Sequence, residues 1–194
     1  TKAALEYSKS RGIKTLSIVN VKNSSIARES DFCIYTKAGA EIGVASTKAF
    51  TAQLSVLLSM AIHLGTMNKT LSENQNKEIC HEIMKAPTLL EEAIKRSYSL
   101  KETAQSIINA KGVMYLGRGT SFPLALEGAL KFKEISYIHA EGYPAGEMKH
   151  GPLALIEKDL PVVCIVPPGE LFHKTVSNIQ EVIARGGKIL MITD

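Results

Sequence analysis

Apolar residues along this chain follow two alternating patterns, short β-branched runs and longer stretches with helical spacing. The short runs are Ile13 to Asn20, Asp31 to Lys37, Gly112 to Leu116, Pro161 to Pro167 and Lys188 to Asp194, and each reads as a strand. Between them the spacing predicts helices over Thr1 to Ser10, Ala45 to Leu64, Ser72 to Lys85, Leu89 to Ala110, Ser121 to Ala140 and Glu170 to Ala184. Arg11-Gly12 gives the first helix a cationic last turn and a terminal glycine. Asn23-Ser24-Ser25 is expected to cap a short turn over Ile26 to Glu29, and Pro87 to interrupt the polar helical region. Strands alternating with helices imply an α/β fold of parallel sheets flanked by helices.

The helix from Ser121 is the one with chemistry on it. Ser121 is expected at its N-cap and Pro123 in its first turn. Leu126, Leu130 and Tyr137 cover one flank, and Ala125, Ala129 and Phe132 another, the pattern of a buried helix. Glu127, Lys131 and Glu134 interrupt it with i, i+4, i+7 spacing, so Lys131 stands between two carboxylates on one stripe. On a solvated surface such pairs contribute only a few tenths of a kcal/mol and would be unremarked. Within a largely apolar helix they are costly unless paired, and a cleft wall is the favoured reading over a purely structural network.

Downstream, Gly142-Tyr-Pro-Ala-Gly146-Glu-Met-Lys149-His150-Gly-Pro152 is punctuated by glycine and proline. It is expected to be a loop with one helical turn that delivers Glu147, Lys149 and His150 from irregular backbone. Upstream, Gly117-Arg-Gly119 joins a strand to this helix, a weak match to a phosphate cradle without a third glycine or a Lys-Ser/Thr ending. Ala45-Ser46-Thr47 opens another helix whose first-turn N–H groups suit an anion or a sugar hydroxyl, although simple capping explains the residues as well.

One string occurs twice in similar form. Ser10-Arg11-Gly12-Ile13-Lys14 and Ala184-Arg185-Gly186-Gly187-Lys188 both close a helix with Arg-Gly and lead into an apolar strand. With the alternation on either side, this implies two copies of one α/β module.

Composition narrows the function classes. The chain has 194 residues, 45% hydrophobic and 22% charged, ordinary for a globular protein with a real core. A net charge of +4 with interspersed signs favours an anionic small molecule and gives no nucleic-acid footprint. Cys33, Cys80 and Cys164 are odd in number and widely spaced, which argues for a reducing compartment and against a disulfide framework or a zinc site. No unbroken apolar run reaches the roughly 18 residues of a membrane span. Thr51 to Leu64 comes nearest, interrupted by Gln53, Ser55, Ser59 and His63. The chain opens on Thr1 in mid-pattern, as expected of a piece of a longer protein.

The strings EIGVASTKAFTAQL, from Glu41 to Leu54, and Gly117 to Ile156 closely resemble the isomerase half of the glucosamine-6-phosphate synthase family. The resemblance covers nearly the whole chain. It implies two pseudo-repeated sugar isomerase domains, both incomplete: the end of the first over residues 1–68, a helical linker over 69–110, and the start of the second over 111–194. It further implies fructose 6-phosphate as substrate, ammonia from a glutaminase domain of the same full-length chain, a cytoplasmic homodimer, and no cofactor, metal, nucleic acid or membrane. By resemblance, Glu134 moves a proton between C1 and C2, and His150 assists ring opening across a dimer interface. Lys131 and Glu127 support them, while Val44 and Ser46 contact the sugar. The family's phosphate loop would precede Thr1 and its Schiff-base lysine would follow Asp194. Two other readings share the fold: a non-catalytic phosphosugar-binding module, and a sugar-phosphate isomerase that uses no ammonia.

Overall fold

The computed structural model describes residues 1–194, which divide into two compact units, residues 1–95 and 96–194. In the first, helix α1 (Lys2–Ser10) leads to strand β1 (Leu16–Val19), helix α2 (Ser25–Glu29) and strand β2 (Phe32–Tyr35). The strands pair in parallel with Leu16 opposite Phe32 and Val19 opposite Tyr35. Ser24 caps α2 as expected, its hydroxyl accepting from the Ala27 N–H. Both strands are half-buried rather than buried, because a two-stranded sheet leaves each strand one unpaired edge.

Helix α3 (Lys48–Met67) begins three residues later than the expected Ala45. The reason is Glu41: its Oε1 accepts from the Thr47 N–H at 3.0 Å and the Ala49 N–H at 3.1 Å, doing what a side-chain cap would do. Thr47 itself makes no side-chain cap bond. By length and composition α3 reaches the range of a membrane span, with 20 residues and a mean hydropathy of 1.3 over its best window. The polar residues Gln53, Ser55, Ser59 and His63 interrupt its apolar run without taking that mean out of the range. Its Ala52, Val56 and Met60 nonetheless face Ile34 of β2 across an open groove, the placement of a helix laid on a sheet.

Pro87 does not break the chain: helix α4 runs uninterrupted over Glu73–Ser97. One missing N–H and its crowding are tolerated in 25 residues that hydrogen-bond on either side. The expected helix from Leu89 to Ala110 stops at Ser97. It is followed by a 3-10 turn over Tyr98–Leu100, the short helix α5 (Lys101–Gln105) and turns.

The second unit is built on four parallel strands: β3 (Gly112–Gly117), β4 (His139–Pro144), β5 (Pro161–Ile165) and β6 (Lys188–Ile192), in the order β4-β3-β5-β6. Helix α6 (Ser121–Ser136) connects β3 to β4, and α7 (Phe172–Ala184) connects β5 to β6. Alternation along the strands divides the core between the two faces. Met114, Leu116, Val162 and Cys164 pack with Met148, Ile156, Ile179 and Val182 on one face, while Val113 and Val163 pack with Ala129 and Ala140 on the other. Burial raises the Cys164 thiol pKa to about 12, so it is a core residue rather than a reactive one.

Four expectations here are corrected. The Ser121–Ala140 helix ends at Ser136, because Tyr137 takes a left-handed conformation with φ 61° and caps it. Tyr137, expected on a buried flank, is 92% exposed. The residues after it form β4, which the turn signals of Gly142 and Pro144 concealed, and loop character begins only at Ala145. The N-cap is Thr120, and Ser121 is the first helical residue, buried. Both Arg-Gly strings do fall at helix-to-strand joints, α1 to β1 and α7 to β6.

Gly142 allows β4 to approach α6 closely, since a Cβ there would lie 2.9 Å from the backbone N and Cα of Leu126. Backbone cannot give way as a side chain can. Gly142→Ala is expected to lower stability by about 1–3 kcal/mol, read as a fall in the urea midpoint with an unchanged slope.

The two backbone bonds to Glu41, from Ala49 and then Thr47, hold its carboxyl below the ordinary value of 4.5. A lowered folded pKa means that the contact stabilises the folded chain above pH 4.5 and is lost as pH falls through the lower, folded value. Hydrogen exchange at the Thr47 and Ala49 amides should therefore quicken, relative to the rest of α3, on acidification below pH 4.5. Glu41→Gln should abolish that pH dependence.

A charged stripe on the helix after the central strand

Helix α6 leaves the carboxyl end of β3 through the turn Gly117-Arg118-Gly119-Thr120. A Cβ at Gly117 would overlap the Ser121 carbonyl, so only glycine lets the helix start this close to the strand. The helix buries Ser121, Ala125 and Ala129. Leu124, Leu126 and Leu130 stay partly exposed, so within this chain α6 is buried along one flank only.

On its half-buried side the expected stripe is assembled. Lys131 Nζ donates to Glu134 Oε2 at 2.7 Å and lies 3.6 Å from Glu127 Oε1. The three side chains retain 20%, 24% and 31% exposure for Lys131, Glu127 and Glu134. The hydrogen bond Lys131 donates to Glu134, helped by the charges of both glutamates and opposed by desolvation, raises the Lys131 pKa above its ordinary value. Lys131 is thus a fixed cation, and it holds one oxygen of Glu134 while Oε1 makes no hydrogen bond. A carboxylate oriented through one oxygen and open at the other can exchange a proton with a bound molecule.

His150 ends a 3-10 segment over Ala145–His150 that is pinned by two fully buried residues, Ala145 and Met148. Lys149 reaches Glu181 of α7 at 2.9 Å. The His150 side chain is exposed and makes no hydrogen bond or ion pair with Glu127, Lys131 or Glu134. In the first unit, Val44 is 94% exposed in the loop before α3, and Ser46 is half-buried just before its start. The first-turn N–H groups of Thr47 and Ala49, considered above for an anion, are already taken by Glu41. Within the second unit the structure therefore brings together Glu127, Lys131 and Glu134, and His150 is not bonded to them.

Two features escaped sequence reasoning. Glu41 as the cap of α3 has no local spacing signature, being six and eight residues from its donors. Arg118, inside the Gly-x-Gly turn, donates to Asn178 of α7 at 3.0 Å, and only the turn itself hinted at it.

The SIS domain model matches residues 1–63 and 106–194. Glutamine–fructose-6-phosphate aminotransferase [isomerizing] of Bradyrhizobium diazoefficiens is 55% identical over all 194 residues, and that of Mesorhizobium japonicum 53%. The chain covers 32% of the length of each. The solved C-terminal domain of glucosamine-fructose-6-phosphate aminotransferase from Francisella tularensis superposes with a TM-score of 0.95 at 44% identity, covering the whole of this chain and 56% of that one. With the parallel sheets, their flanking helices and a family match over most of its length, this chain belongs to the SIS domain family.

Proposed function

We propose that this chain is part of the isomerase portion of an enzyme that converts fructose 6-phosphate and glutamine-derived ammonia to glucosamine 6-phosphate in hexosamine biosynthesis. The observation that carries the reading is the Lys131–Glu134 ion pair, which holds one carboxylate oxygen and leaves the other open. The names of the relatives at 55% and 53% identity support the substrate and product class.

In this reading Glu134 Oε1 takes a proton from C1 of the open-chain sugar and returns it to C2, on one face of an enediol-type intermediate. Lys131 remains protonated and offsets the carboxylate charge, and Glu127 orients Lys131. His150, exposed at the end of its anchored segment, takes the proton of the anomeric hydroxyl and gives one to the ring oxygen. It does so in the neighbouring subunit of a homodimer. Val44 and Ser46 contact the sugar. The two units are copies of one module, with residues 1–68 and 111–194 belonging to successive sugar isomerase domains and 69–110 linking them. Ammonia comes from a glutaminase domain of the same full-length chain, and three unpaired cysteines suit a cytoplasmic enzyme.

Glu134→Gln in the full-length protein is expected to lower formation of glucosamine 6-phosphate at least about 100-fold, the scale of a lost general base. Glutamine hydrolysis should persist. Synthase turnover at the normal rate would refute the assignment. Exchange of solvent deuterium into C1 or C2 of the sugar distinguishes catalysis from mere binding, and glucosamine 6-phosphate as product excludes a plain isomerase.

A further inference from the structure

Outside the stripe, one charged contact is made at a cost that the fold does not recover. Glu181 of α7 forms an ion pair through Oε1 with Lys149 Nζ at 2.9 Å. Its other oxygen, Oε2, is the single buried side-chain polar atom in the chain without a hydrogen-bond partner. The two side chains are unevenly sheltered, Glu181 at 22% exposure and Lys149 at 66%. An ion pair whose cation is this open to water contributes little to stability, while an unsatisfied carboxylate oxygen away from water is costly. An apolar residue at 181, between the buried Ile179 and Val182, would serve the fold at least as well. Stability alone gives no reason for a carboxylate here.

Its effect is on the segment that carries His150. Met148 packs in one core with Ile179 and Val182 of α7. Lys149 comes next and is tied to Glu181 on the same helix, and His150 follows it. An apolar anchor and a charged one on successive residues fix both the place and the twist of the backbone bearing the imidazole. Burial of Oε2 keeps the carboxylate from turning toward water, so Oε1 offers the ammonium one place to sit. Downstream, Gly151 has φ +139° and nothing within 4 Å of where a Cβ would stand. The side-chain hold on His150 therefore comes from the residues before it.

We propose that Glu181 is a positioning residue for sugar ring opening: through Lys149 it sets the direction in which His150 is presented to the ketose phosphate. This rests on the reading of His150 as the group that opens the ring. In that step the C2–O5 bond breaks and a C2 carbonyl forms, as the anomeric hydroxyl loses its proton and O5 gains one. A ketose phosphate without the C5 hydroxyl has no such ring, and its conversion needs no aimed imidazole.

The test assays the full-length protein carrying Glu181→Gln or Glu181→Leu on fructose 6-phosphate and on 5-deoxyfructose 6-phosphate, which stays open. On fructose 6-phosphate kcat should fall at least about tenfold, more for leucine, with KM changed less than about twofold, as for a misplaced group. On the open substrate both variants should match the unsubstituted enzyme, and the urea midpoint should not fall. Equal losses on the two substrates, or a lowered midpoint, would mark a structural role and overturn the proposal. His150→Ala separates this inference from the reading beneath it. Full activity of that variant on fructose 6-phosphate would sink the role of His150, and the positioning role with it. Loss there, with both Glu181 variants fully active, would overturn the positioning role alone.

Discussion

The contact between Gly117 and the first turn of α6 constrains everything chemically distinctive in the second unit. Strand β3 is central, paired to β4 on one side and β5 on the other, and its interior residues are buried on both faces. Its direction is therefore set by the core. Because Gly117 carries no side chain, α6 starts four residues after the strand ends and cannot rotate without driving the Ser121 carbonyl into the strand. At 1.5 Å per residue, Glu127, Lys131 and Glu134 then stand about 9, 15 and 20 Å along the helix from Ser121. Their phase is inherited from the strand rather than chosen locally.

That inheritance matters because the stripe is half-buried. A carboxylate in partial shelter loses hydration and needs compensation, and two of them on one stripe, two turns apart, repel each other. Lys131 answers both demands, but unequally: 2.7 Å to Glu134 against 3.6 Å to Glu127. The shorter bond fixes the orientation of Glu134, and the longer contact leaves Glu127 as a counter-charge. Removing the lysine would leave two like charges without their common partner, so the three act as a unit rather than as a sum of pairs.

Much of this was legible in the chain. The i, i+4, i+7 spacing placed Lys131 between two glutamates before any coordinates, because a helical period is a local rule. Five of the six strands were legible for the same reason. What escaped was decided by tertiary contact. Strand β4 contains Gly142 and Pro144, which read locally as a turn, but it is an edge strand. Gly142 is needed there for close approach to α6 and Pro144 closes the strand. The helix before it looked longer because Tyr137 kept the apolar spacing, whereas its left-handed backbone ends the helix. Pro87 failed as a breaker because a long helix can forgo one hydrogen bond. Glu41 and Arg118 find their partners in three dimensions, where no sequence period leads.

The same physics acts on His150, the group proposed to assist ring opening. Ala145 and Met148 are fully buried, and Lys149 is tied to Glu181, so the segment is held at three points. A segment fixed so firmly would be expected to use its last side chain in the fold, yet the imidazole is exposed and unpartnered. The anchoring residues serve the core, and they leave the imidazole in solvent, free to engage a group outside its own unit. A surface histidine on mobile backbone would lose entropy whenever it engaged a partner, while one presented from a pinned 3-10 segment has already lost most of it on folding. Preorganised presentation of this kind is what donation of His150 to a neighbouring subunit's sugar would require.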